Sequence, residues 1–142
     1  MTKHDDNYWL QEAVTLSQKS KPAEVGFCVG AIIVDKNGNK IAEGYSRETD
    51  VNKHAEEIAI ERAKQAHCDL IHATLYSSLE PCGERLSGRK TCVDFIIENK
   101  IQRVVFGAYE PSLFVEGVGE ELLLNAGIVT RFIETGQNYS VK

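Results

Sequence analysis

His54, Cys82 and Cys92 form a donor set suited to zinc, and Glu56 stands two positions beyond the histidine without belonging to that set. A neutral imidazole and two thiolates fill three corners of a tetrahedron, and a zinc site with three protein ligands keeps its fourth position for water. The two thiolates offset the charge of the ion, which still lowers the pKa of that water enough to keep hydroxide available near neutral pH. Hydrolysis also needs a group that takes a proton from the nucleophile and returns one to the leaving group, and a single carboxyl can cycle between those states. Glu56 is the candidate for that shuttle, a residue for which a purely structural zinc site has no use.

Nine residues separate Cys82 from Cys92, too many for one tight turn. The chain must leave the metal after Cys82 and return at Cys92, where Val93, Phe95, Ile96 and Ile97 begin a helical apolar pattern. Cys92 therefore lies near a helix start, where unpaired backbone N–H groups and the helix dipole favour a thiolate. His54 opens a helix of its own, continued by Ile58, Ala59, Ile60, Ala63 and Ala66. The two helix starts are expected to face the metal together.

The elements that must hold these residues alternate. Trp9, Leu10, Ala13, Val14 and Leu16 give an amphipathic helix from about Asp6 to Lys19, ended by the Ser20 to Pro22 stretch. Phe27 to Asp35 and Lys40 to Tyr45 read as an antiparallel hairpin around Asn37-Gly38, a pair that tolerates positive φ. After the His54 helix, Leu70 to Ser78 is a strand delivering Leu79-Glu80-Pro81-Cys82 at its carboxyl end, where open α/β sheets place their ligands. A helix from Thr91 to Asn99, a strand from Arg103 to Gly107, a helix near Val118 to Asn125 and a strand from Ile128 to Ile133 follow. The expected fold is a three-layer α/β/α arrangement around a mixed five-stranded sheet.

With 142 residues, 42% of them hydrophobic, the chain is expected to form one domain over 1–142. No apolar run approaches a membrane span, and the first residues are acidic where a secretory signal is basic and then apolar, so a cytoplasmic protein is expected. Four cysteines in that compartment argue for metal or free thiols before disulfides. Cys28 reads as a small core residue within its strand, and His67-Cys68 as a helix end rather than a metal donor. A net charge of -5 opposes a nucleic-acid partner, since phosphate contacts need a basic face.

The His54-Ala55-Glu56 and Leu79-Glu80-Pro81-Cys82 motifs, in this order of elements, resemble the cytidine deaminase-like superfamily of zinc hydrolases over nearly the whole chain. The wide cysteine spacing around Gly88-Arg89, the Tyr109-Glu110-Pro111-Ser112 segment, Gly117-Val118-Gly119 and Asn125-Ala126-Gly127-Ile128 are similar to its riboflavin-pathway branch, the RibD deaminase domains. The resemblance implies zinc held by His54, Cys82 and Cys92, Glu56 as general acid and base, release of ammonia from an aminopyrimidine or related base, nucleoside or nucleotide, and a homodimer. This chain departs from the branch at Ala23-Glu24-Val25, at Ser46 where a histidine is usual, and at Lys90-Thr91. The zinc chemistry carries over residue by residue; the substrate does not. Nucleic-acid base deamination and a non-catalytic zinc domain are the alternatives.

The Gly83 to Thr91 loop, tethered to the metal at both ends, has two readings. Arg85, Arg89 and Lys90 could hold a substrate phosphate, helped by the N–H groups of the following helix start, or the loop is a solvated basic surface. It is not a P-loop, because Arg89 separates glycine from lysine. Ser46, Glu110 and Phe114 complete the candidate substrate contacts. Glu57 and Glu61 read as a solvated helix face, and Glu80 as a local hydrogen-bonding residue.

Overall fold

Apolar residues of alternating direction decide which helices cover which face of the sheet. In the computed structural model, which describes residues 3–22, 26–85, 88–111, 118–137 and 139, strand β1 (Gly30–Val34) is buried along its whole length. Ile32 and Val34 point to a cluster with Trp9, Leu10, Ala13 and Leu16 of helix α1 (Asp6–Ser17). Ala31 and Ile33 point the other way, into a larger cluster with Ala55, Ala59 and Ala63 of α2 (Ala55–Gln65) and Val93 and Ile96 of α3 (Cys92–Glu98). A strand covered on both faces reads as a continuous apolar run, which is what Ala31-Ile32-Ile33-Val34 is. Gly30 marks how closely α1 lies: a Cβ there would stand 2.0 Å from the Ala13 carbonyl oxygen.

The remaining strands are β2 (Lys40–Tyr45), β3 (Thr74–Ser77), β4 (Arg103–Phe106) and β5 (Val129–Phe132), with helix α4 (Val118–Asn125) before the last. Their order is β2-β1-β3-β4-β5. β1 pairs antiparallel with β2 and β3, while β3 with β4 and β4 with β5 are parallel. The mixed five-stranded sheet between helical layers agrees with the expectation. Among the described residues, no helix is long and apolar enough to cross a membrane.

Two strand starts differ most from the sequence reading, each for a local reason. β1 starts at Gly30 rather than Phe27, because the Val29 N–H is taken by the Ser46 hydroxyl at 2.9 Å instead of a regular ladder bond. Cys28 is therefore half-buried outside the strand, its Sγ 3.6 Å from the Ser20 carbonyl oxygen. β3 starts at Thr74 rather than Leu70, because the Asp69 carboxylate accepts the Ile71 N–H and His72 adopts positive φ, making a turn. In the hairpin only Gly38 takes positive φ; Asp35 Oδ1 accepts the N–H groups of Asn37 and Asn39 and shapes the rest.

One half-buried carboxylate ties α1 to three strands. Asp6 accepts Tyr76 Oη at 2.6 Å, Arg103 Nη1 at 2.8 Å and Arg131 Nη1 at 2.7 Å, and forms a second bond with Arg103. Those bonds, the Arg103 guanidinium foremost, hold its carboxyl far below the ordinary 3.8. Asp6→Asn is expected to lower the unfolding free energy by about 1.5–3 kcal/mol near neutral pH. A depressed folded-state pKa contributes fully above the unfolded value of 3.8 and is lost as pH falls through the folded one. Urea unfolding of both proteins should therefore show a difference that is full near neutrality and shrinks below that value.

Candidate active site

The site forms where two helices start beside the carboxyl end of β3. His54 is the N-cap residue of α2, with extended backbone, and its N–H is accepted by Glu57 Oε1 at 3.4 Å. Cys92 is the first residue of α3, placed by a reciprocal cap in which Thr91 Oγ1 accepts the Asp94 N–H and Asp94 Oδ2 accepts the Thr91 N–H. Cys82 reaches the same point from the loop after β3: its carbonyl accepts the Val93 N–H at 3.1 Å and its Sγ accepts the Cys92 N–H at 3.3 Å. The nine-residue excursion thus closes on itself at the metal-binding position.

His54 Nδ1 lies 3.3 Å from Cys92 Sγ and 3.5 Å from Cys82 Sγ, and the three donor atoms fall within 4.8 Å of one another. Zinc–nitrogen and zinc–sulfur bonds at a tetrahedral angle put N and S about 3.6 Å apart, so these residues fit a zinc ion with little movement. Cys68 does not join the group; it packs beside the apolar core. The Cys92 thiol hydrogen bond, followed by that of His54, brings the Cys82 thiol down to about 5. Cys92 is pushed well up, because its thiol hydrogen-bonds to Cys82 and is buried beside Glu56. The Cys82 hydrogen bond raises His54 in spite of burial. Two sulfurs, an imidazole nitrogen and a carboxyl crowd one point, a donor set that a metal cation would engage.

Glu56 is 3% exposed. Its Oε2 is 3.2 Å from Cys92 Sγ and its Oε1 is 2.6 Å from Ser77 Oγ. Burial raises its pKa. Ser77 Oγ is also 2.6 Å from the Leu79 carbonyl oxygen, and a hydroxyl has one hydrogen to give. When Ser77 donates to Glu56 it supports the carboxylate; when it donates to Leu79 it can accept from the carboxylic acid. The contact therefore accommodates both forms of a proton shuttle, a function sequence reading missed, although a serine closing the strand before Leu79-Glu80-Pro81-Cys82 was its available signal.

A cavity of about 480 Å³ opens over these groups. Ser46, Arg85 and Glu110 line it, as do Phe27 and Arg47. Ser46 is buried, its hydroxyl engaged by Val29. Burial, then the negative charge of Cys82 and Glu56, pushes the Glu110 carboxyl up to about 8. Glu80 bonds locally, as expected, accepting the backbone N–H groups of Glu110 at 3.0 Å and Glu120 at 2.8 Å and joining the late loop and α4 to the metal loop. Arg47 carried no sequence signal; at positive φ it donates to the Lys21 and Phe27 carbonyls and braces the cavity wall.

One expectation is corrected. Glu57 is not on a solvated face: it is 5% exposed, beneath the returning loop, with Arg85 at 3.3 Å and Arg89 at 3.7 Å. Of the three loop cations, Arg85 lines the cavity. Lys90 turns to Glu98 at 2.7 Å and sits over Phe95, Arg89 turns to Glu57, and neither lines the cavity. Phe114 lies outside the described residues.

A mixed sheet that brings His, Cys and Cys donors and a buried glutamate to the mouth of one cavity defines a zinc-site protein of the deaminase class. The chain belongs to the cytidine and deoxycytidylate deaminase family, whose zinc-binding region matches residues 3–108. It is 42% identical over 131 residues to the diaminohydroxyphosphoribosylamino-pyrimidine deaminase of Schizosaccharomyces pombe, covering 91% of this chain and 32% of that protein. It is 34% identical over 129 residues to the riboflavin biosynthesis protein RibD of Aquifex aeolicus, covering 90% and 35%. The chain thus spans about a third of the length of these relatives. Among solved structures, a C-terminal deletion mutant of the Rib2 deaminase of Aspergillus oryzae superposes with a TM-score of 0.79 at 32% identity, covering 92% of this chain and 85% of that one. The cofactor of the family is zinc.

Elemental analysis of purified variants tests the donor set. His54→Ala, Cys82→Ser and Cys92→Ser are each expected to lose most bound zinc, whereas Cys28→Ser and Cys68→Ser keep the wild-type content.

Proposed function

We propose that this chain is a hydrolytic deaminase that releases ammonia from an aminopyrimidine of the class named for its riboflavin-pathway relatives. The observation that carries the reading is Glu56, buried yet on the cavity wall, 3.2 Å from a metal-binding sulfur and able to hold or give up a proton against Ser77. His54, Cys82 and Cys92 would hold zinc, which when bound supplies the Lewis acidity that makes water nucleophilic near neutral pH. Glu56 takes a proton from the attacking water at one carboxylate oxygen and passes it to a ring nitrogen, then takes the remaining proton of the same oxygen and delivers it to the amine, which departs as ammonia. Burial favours the protonated form it needs as an acid, and the Ser77 hydroxyl stabilises the ionised form it needs as a base.

Ser46 and Glu110 contact the substrate on this reading. Glu110 stands on the late loop facing the same cavity, and its raised pKa suits a carboxyl that donates a hydrogen bond to a ring acceptor. A cavity of about 480 Å³ suits a small molecule, and the acidic chain lacks the charge for a nucleic-acid partner. Residues 1–142 act as one domain in the cytoplasm and pair as a homodimer. Ile97, Leu122 and Leu124 offer exposed apolar surface on α3 and α4 for that pairing.

Ammonia release, measured over a panel of aminopyrimidine and cytosine bases, nucleosides and nucleotides, tests the activity. Glu56→Gln is expected to reduce turnover about 10²–10⁴-fold with zinc content unchanged; activity that survives the substitution would refute the role of Glu56. Light scattering at micromolar concentration is expected to give twice the monomer mass of 15.8 kDa.

A further inference from the structure

The zinc site is built from two stretches of chain that have no covalent reason to stay together. His54 belongs to the start of α2, and the cysteines bracket a nine-residue excursion. Long, loosely held spacers make poor chelates, because ordering them opposes metal binding. Two guanidinium groups cross this gap, Arg89 by one ion pair with Glu57 at 3.7 Å and Arg85 by several bonds. Arg85 Nη1 donates to the Lys90 carbonyl at 3.0 Å, spanning the excursion from within, while Nη2 donates to the Asn52 carbonyl at 2.6 Å, two residues before His54. The same Nη1 lies 3.3 Å from Glu57 Oε1, the oxygen that accepts the His54 N–H.

The pair is dry: the Arg85 side chain is 7% exposed and that of Glu57 6%. A buried ion pair with extra hydrogen bonds to backbone carbonyls fixes geometry, and removing one partner strands the other charge. The planar fork of arginine suits a task with three acceptors in different directions; a lysine would supply a point charge. Neither residue touches the donor atoms, so both act through the segments they hold.

We propose that Glu57 and Arg85 form a preorganising clamp for zinc: a pair of positioning residues that locks the segment bearing His54 to the loop bearing the two cysteines. The assignment rests on the zinc-site reading above and removes Arg85 from the candidate phosphate ligands. In the clamp, Glu57 orients the His54 backbone at the start of α2, and Arg85 shortens the effective spacer between Cys82 and Cys92 by bridging its interior to Lys90.

Competition of zinc between the full chain and a chromophoric chelator tests this directly. Arg85→Met and Glu57→Gln are each expected to weaken zinc binding about 10–100-fold, and the double variant no further than the weaker single variant, since the residues act as one unit. Folding is checked by circular dichroism. If Arg85→Met does not fold, Arg85→Lys is read instead, with a loss of about tenfold expected. Folded single variants that bind zinc within about twofold of wild type would overturn the clamp, as would additive losses in the double variant. Unchanged zinc affinity with a raised KM and intact kcat would make Arg85 a substrate contact and equally overturn it. If zinc-loaded wild-type protein releases no ammonia from any substrate tested, the deaminase reading fails while the zinc titration still decides the clamp.

Discussion

The meeting of two helix starts at the end of a sheet strand is the constraint around which the rest of the chain is arranged. Cys92 Sγ lies 3.3 Å from His54 Nδ1 and 3.2 Å from Glu56 Oε2, so α2 and α3 must begin within a side chain's reach of each other. That geometry requires α2 to lie against β1 and β2 and α3 to follow β3 on the same face. The alternating apolar residues of β1 and β4 make that packing possible. Gly119 completes it from the far side: a Cβ there would stand 2.0 Å from the Pro81 carbonyl oxygen, so α4 starts in direct contact with the metal loop.

Three buried glutamates surround this point, and each is satisfied by a different chemistry. Glu80 accepts two backbone N–H groups and acts as a mortar between loops. Glu57 faces arginine and can remain charged without solvent. The Glu56 carboxyl meets the Ser77 hydroxyl and the Cys92 thiol, and burial raises its proton affinity. On the proposed reading, the first two serve structure and the third serves proton traffic. The division follows from what each carboxylate can reach, since the residue type is the same in all three.

The loop between the cysteines carries the same lesson about charge. Its three cations look from composition like an anion site, yet the structure gives them intramolecular acceptors: Arg85 the Asn52 and Lys90 carbonyls, Arg89 the Glu57 carboxylate, Lys90 the Glu98 carboxylate.

Sequence alone was enough to single out the donor set, the neighbouring Glu56 and the order of elements. Metal ligands are confined to a few residue types, amphipathic periods of two and 3.6 are local signals, and His54, Glu56, Cys82 and Cys92 all appear within such signals. Tertiary structure decided whatever depended on distant partners. The burial of Glu57 required the returning loop above it, the fate of Arg85 required carbonyls 33 and five residues away, and the value of Asp6 required arginines on β4 and β5. Charged side chains reach far and pair with whatever the fold delivers, so their partners are a property of the packed molecule, whereas the metal site was written into residue type and spacing.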